Sequence, residues 1–132
     1  MSDYIGDFTA GATIRIHFNT LNSSFIPAAT SVTPTFVVYK NSVTESVAGV
    51  SPTSVNYDGR TGLHLLVIDT SADPFYEEGQ DYSIVFTAGT VDGLDLTNVK
   101  FRSFSIENRT VTPVKVLVTA IKKLCALIPA LT

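Results

Sequence analysis

The chain has 132 residues, of which 45% are hydrophobic and 16% charged, with a formal net charge of −3. This composition excludes an intrinsically disordered chain, and the length suits one domain with a core of its own. The isoelectric point is near 5.2 and no basic run exceeds Lys122-Lys123, so nucleic acid has no electrostatic footprint to meet.

In chain order, the first clear element is "TIRIHF". Ile14, Ile16 and Phe18 alternate with Arg15 and His17, which predicts a half-buried strand with one wet face. "NTLNSSFIPAATSVTP" is rich in Asn, Ser, Thr and Pro and reads as a long loop. "TFVVYK" is β-branched and aromatic and predicts a second strand. Two short strands are expected around Val43–Val47 and Thr53–Tyr57, followed by a turn at Asp58-Gly59. "TGLHLLVIDT" gives the strongest strand signal. Leu63, Leu65 and Val67 share one face and His64, Leu66 and Ile68 the other, so it belongs in the middle of a sheet or under a partner. "DYSIVF" alternates again with Tyr82, Ile84 and Phe86 inward, and Asp92-Gly93 signals a tight hairpin. In "VKFRSFSIE" the apolar parity switches between Phe101 and Phe104, which predicts a bulge near Arg102-Ser103.

Short strands broken by turn chemistry about every ten residues point to an antiparallel sandwich. One local feature sharpens this. Gly79 precedes Tyr82 by three residues at the mouth of a strand, the spacing of a tyrosine corner in immunoglobulin-like sandwiches. The expected fold is all-β, an immunoglobulin-like antiparallel β-sandwich over residues 1–109. A short C-terminal amphipathic α-helix and tail are expected over residues 110–132.

Four stretches carry a further resemblance: "YIGDFTAGATIRIHFNT", "VNYDGRTGLHLLVIDTSAD", "FYEEGQDYSIVFTAGTVDG" and "FSIENR". Together they resemble the immunoglobulin-like domain that opens fibre and baseplate upper proteins of tailed bacteriophages, over about Asp3 to Arg109. The resemblance implies a virion protein, made in the host cytoplasm, and carries no active site with it. Family members often continue into a long fibre after "FSIENR". This chain instead continues into one helix-like segment, which favours a capsid-decorating, adaptor or fibre-anchoring role.

That segment is "PVKVLVTAIKKLCALI". Thr112 suits an N-cap and Pro113 the first helical position, while Pro129 is a stop. Val114, Leu117, Val118, Ile121, Leu124, Cys125 and Ile128 follow the spacing of one helical face; Lys115, Lys122 and Lys123 lie off it. A lone helix of this length is marginal in water. Burying seven such side chains yields a gross gain of about 10–20 kcal/mol, before the entropy of ordering. Two covers compete for the stripe: an open face or edge of the chain's own sandwich, or a neighbour. A sandwich covers its own inner faces, so the favoured expectation is intermolecular: other copies of the chain or other virion proteins, in a homo-oligomer or multi-copy particle. A helix lying on a membrane surface is the weaker alternative.

Cys125 is the single cysteine, which excludes an internal disulfide; on the apolar stripe it reads as a small hydrophobe. "MSDYIGDFTAG" lacks the basic and apolar regions of a signal peptide, and no apolar run approaches the ~20 residues of a membrane span. His17 and His64 sit on different predicted strands without cysteine neighbours, so they read as sheet-surface residues and not as zinc ligands. Asp69, Asp73, Glu77, Glu78 and Asp81 crowd one region without EF-hand spacing and read as a solvated acidic loop. No nucleophile elbow, phosphate loop or Cys/His dyad appears. The expectation is therefore a non-enzymatic protein without cofactor or metal. The alternative is a host-surface or glycan-binding adhesion module using Tyr57, Phe75 and Tyr76.

Overall fold

The computed structural model describes residues 3–108. The predicted C-terminal helix, and with it every residue of the apolar stripe from Val114 to Ile128, lies outside the described residues. Those that are described form a mostly β, two-sheet, sandwich-like fold. The strands are β1 (Tyr4–Phe8), β2 (Thr13–Asn19), β3 (Thr30–Lys40), β4 (Thr44–Ser46), β5 (Leu63–Asp69), β6 (Asp81–Val91), β7 (Leu94–Asp95) and β8 (Lys100–Ile106). The larger sheet has the order β1-β8-β6-β3-β4, with β7 paired to β6; the smaller pairs β2 with β5.

Period-2 alternation builds both inner faces. Ile14, Ile16 and Phe18 of β2 and Leu66 and Ile68 of β5 face Phe36 and Val38 of β3, Tyr82, Ile84 and Phe86 of β6, and Phe101, Phe104 and Ile106 of β8. The strand β5 is flanked on both sides. It pairs with β2 from Thr13–Asp69 to Asn19–Leu63, and on its other side bridges Val50 to Ile68 and Ser54 to Leu65. That central position accounts for its two apolar faces. The outer face of the larger sheet carries hydroxyl side chains around the apolar pair Val37–Val85. Thr35 and Thr87 bond at 2.8 Å, Ser83 pairs with Ser103, and Ser105 donates to Asp7 at 2.8 Å.

The structure departs from the sequence reading in several places. The strand β3 starts at Thr30 and not at Thr35, because Pro34 sits, fully buried, where the β3–β6 register shifts between Val32 and Thr35. A proline removes no ladder bond at such an irregularity. The bulge on β8 falls at Phe101, between the pairs Val85–Lys100 and Ile84–Arg102, one residue earlier than expected, and it turns both Phe101 and Phe104 inward. The segment Thr53–Tyr57 forms no strand; it supplies one bridge at Ser54 and then a single tight turn at Tyr57–Gly59. The strand β1, which no local pattern marks, runs parallel to β8.

The loop before β6 is tied through Tyr82. Its hydroxyl accepts from the Glu77 N–H at 2.6 Å and donates to the Phe75 carbonyl at 3.0 Å. Its ring stacks on Phe104 at 5.1 Å. The Gly79 N–H donates to the Ile106 carbonyl at 2.7 Å, which fastens the same loop to the end of β8. Strand directions thus define two poles. Chain exit, the acidic loop and the β1–β2 connection gather at one. The β2–β3 loop, the β6–β7 hairpin and the start of β8 gather at the other.

Candidate functional site

The pole opposite the chain exit carries an open, largely apolar groove of about 670 Å³. Its floor is the aromatic end of the core. Phe18 meets Phe101 at 4.8 Å and Phe86 at 6.2 Å, and Phe86 meets Phe101 at 5.3 Å between ring centroids. One wall is the loop 20–28 and the other is the segment 91–99.

The loop wall is built by its own polar side chains. The Asn22 Oδ1 accepts from the Ser24 and Ile26 N–H groups at 2.9 and 3.1 Å. The Asn22 N–H donates to the Ile26 carbonyl, and the Phe25 N–H to the Asn22 carbonyl. This small closed loop forces Phe25 to φ 60, a conformation that costs an L residue with a bulky side chain about 1–2 kcal/mol. The ring is nonetheless 83% exposed. An aromatic held out at conformational cost is an observation from which a role can be inferred. Leu21, Ile26, Leu94 and Val99 are exposed around it, an apolar rim of the kind that marks contact surfaces.

The opposite wall is a two-residue hairpin. Asp92 and Gly93 both adopt positive φ between the paired residues Val91 and Leu94, the geometry in which the hairpin's twist matches that of its strands. The Asp92 Oδ2 accepts the Ser23 N–H at 2.8 Å, so the two walls are linked directly. At the mouth, Arg102 lies over the Phe101 ring at 4.5 Å and donates to the Phe101 carbonyl. Lys100 pairs with Asp3 at 3.1 Å, which holds the Asp3 carboxyl below the usual carboxylate range.

Beneath the loop lies His64, fully buried. This corrects its reading as a sheet-surface residue: it is in phase with Leu66 and Ile68, so the side chain turns inward. Its polar atoms are satisfied in one protonation state. The Thr20 hydroxyl donates to the Ala28 carbonyl at 2.7 Å, so it accepts from His64 Nε2–H, also at 2.7 Å. Nδ1 then accepts the Asn56 N–H at 3.2 Å. A proton on Nδ1 would face that N–H directly. Burial pushes the imidazole below its usual pKa, and the sign follows. Above about pH 6.5 the ring is neutral folded and unfolded and contributes no slope. Below that, the unfolded chain binds a proton that the folded chain refuses, so stability falls as pH falls toward the folded value. The carboxylates of Asp69 and Asp95, whose pKa values are lowered by hydrogen bonds from Ser71 and Thr97, lose their contribution only in a lower window, below about pH 4. Denaturant midpoints from pH 7.5 to 4.5 should therefore drop for the native chain, and the His64→Gln variant should show a flatter profile over the same range.

Other candidates from the sequence fall elsewhere. His17 is exposed and meets Tyr57 edge-on at 5.0 Å. Tyr76 is buried and donates to the Ala48 carbonyl at 2.6 Å; Phe75 is half-buried against the core and lies 5.0 Å from Tyr76. Asp69 and Asp73 cap their own turns, and Glu77 pairs with Lys40 at 3.0 Å. Among the described residues, no three His, Cys, Asp or Glu side chains are grouped to hold a metal, and no helix is long and apolar enough to cross a membrane. The groove was missed in the sequence because its residues come from β2, a polar loop and β6–β8. No protein family, curated protein or solved structure matches the chain.

Proposed function

We propose that the sandwich is immunoglobulin-like and that the chain is a non-enzymatic structural protein of a tailed-bacteriophage virion. In this reading it decorates the capsid, joins parts of the particle, or anchors a fibre. The apolar pole carries the proposal. A groove with an aromatic floor, walls cross-linked by Asp92 and Ser23, and Phe25 displayed at its rim is a preformed seat for apolar side chains, and it needs no chemistry to function.

Two further observations support the fold and setting. The order β1-β8-β6-β3-β4 opposite β2-β5, with a tyrosine tied to the loop before β6, suits an immunoglobulin-like sandwich. The stretches that resemble phage fibre and baseplate proteins supply β1 and β2, the turn before β5 and β5 itself, the Tyr82 loop with β6, and the end of β8, which is most of the framework. The glycan-binding alternative is the weaker one, because Tyr76 and most of Phe75 face the core and leave Tyr57 with only the edge-on His17 ring beside it, not a flat aromatic platform for a sugar.

Particle composition tests the proposal. Mass spectrometry and immunogold labelling of purified virions should find the full chain on the particle in many copies. A chain recovered only outside particles, as a monomer that binds envelope glycans, overturns it.

A further inference from the structure

We infer that the groove is the seat of residues 113–128 from a second copy, so that copies join pole to pole. The inference rests on the assembly reading above and specifies its contact. Three observations bear on the occupant. First, 24 residues follow Asn108, and they include the apolar set Val114, Leu117, Val118, Ile121, Leu124, Cys125 and Ile128, spaced as one helical face. An amphipathic helix in an apolar groove anchors through that spacing.

Second, charge is divided along the chain. Residues 109–132 hold four cationic side chains and no acid. Residues 1–108 hold all twelve acids against five bases, a net of −7. A cationic segment is complementary to the body of any copy, and like-charged bodies need such a segment between them.

Third, the exit lies at the wrong end for the chain's own groove. Lys100 and Arg102 line the groove at the start of β8, whereas Asn108 stands beside Gly79 beyond the end of β8. The two are about 20 Å apart, the length of the strand. To return, the segment would cross the whole outer face of the larger sheet, where the apolar pair Val37–Val85 is set among Thr35, Thr87, Ser83, Ser103 and Ser105, a narrower apolar surface than the groove. In a second copy stacked end to end, the exit pole faces the groove directly. Glu77, Glu78 and Asp81 then approach Arg102, which makes none of the ion pairs found among the described residues. The contact is heterologous, so it can repeat from copy to copy.

Complementation between full-length variants tests this. Leu94→Lys spoils the groove at a residue 62% exposed, and Phe25→Ser does so at one 83% exposed; Leu117→Asp with Ile121→Asp spoils the segment. By light scattering the native chain should exceed 14.2 kDa as concentration rises. Each variant alone should run at one chain mass, with association weakened about 30-fold or more. An equimolar mixture of a groove variant and the segment variant should regain a two-chain species and nothing larger, because one intact groove and one intact segment remain. Undiminished association of both groove variants would overturn the inference and leave the assembly reading in place, the segments then meeting each other. Monomers throughout, the native chain included, would overturn the inference, and the particle composition would still decide the assembly reading. A self-associating native chain whose mixed variants stay monomeric would overturn the inference alone.

Discussion

Replacing Phe18 with alanine should lower the stability of the fold by about 3–5 kcal/mol. Phe18 is 5% exposed and joins the two sheets at the groove end. Its ring meets Phe36 at 5.6 Å, Phe86 at 6.2 Å and Phe101 at 4.8 Å across the sandwich, and His64 at 5.2 Å within its own sheet. Truncation removes the transfer energy of the ring and leaves a cavity that the strand ladders on either side cannot close. It also removes several edge-to-face contacts, each worth about 0.5–1.5 kcal/mol beyond area burial. Chemical unfolding should show a lower midpoint with the slope unchanged. Phe18→Leu, which keeps most of the volume, should cost clearly less. A cost for alanine below about 1 kcal/mol would mean that the ring is peripheral and that the groove floor is not a rigid surface.

This arrangement explains how one molecule can carry two different ends. The aromatic core is not sealed at the groove pole. Phe18, Phe86 and Phe101 reach the surface between two loops, and the apolar rim continues outward through Leu21, Phe25 and Leu94. At the other pole Tyr82 and Gly79 close the sandwich with hydrogen bonds, under a cover of Glu77, Glu78 and Asp81. In the proposed pole-to-pole contact, burial of apolar surface would drive association without direction, and the charges would select which ends meet.

Much of the framework was legible because it is written at period 2. Ile14, Ile16 and Phe18, and Tyr82, Ile84 and Phe86, alternate over a single strand, and Asp92-Gly93 marks its hairpin by residue type alone. What the sequence hid depends on pairs distant in the chain. The parallel pairing of Tyr4–Phe8 with Lys100–Ile106 has no turn chemistry to announce it. His64 looked like a surface residue because a histidine's polarity outweighed its phase; its Thr20 and Asn56 partners lie 44 and 8 residues away. Phe25 sits in a stretch of Asn, Ser and Pro that reads correctly as loop. Its exposure comes from bonds made by Asn22, in a loop pinned to Asp92 by Ser23. Register and phase could have placed His64, but no local pattern could have assembled the groove.

Gly62→Ala should cost about 3 kcal/mol or more and should disconnect the groove wall from the sandwich. Gly62 has φ +78, and a Cβ there would stand 2.5 Å from the Ala28 nitrogen and 2.8 Å from the Pro27 carbonyl carbon. Both are backbone atoms, so no side chain can swing aside. The same residue anchors three neighbours. Its carbonyl accepts from the Thr20 N–H and the Asn19 side chain, each at 3.1 Å, and its N–H donates to Asn56 Oδ1 at 2.9 Å. Relief of the overlap must therefore move the base of loop 20–28, and with it the Thr20–His64 bond and the position of Phe25. Gly59 provides the control: its φ is +69, but a Cβ there meets nothing within 4 Å. Gly59→Ala should cost only the left-handed strain, about 1–2 kcal/mol. Denaturant unfolding of the two variants separates backbone strain from close approach, because only Gly62→Ala carries the second. Amide shifts of Asn22 to Ile26 should move in Gly62→Ala and stay in place in Gly59→Ala. Equal costs for the two substitutions would mean that the loop is not seated on Gly62, and that the groove wall can move independently of the sheet beneath it.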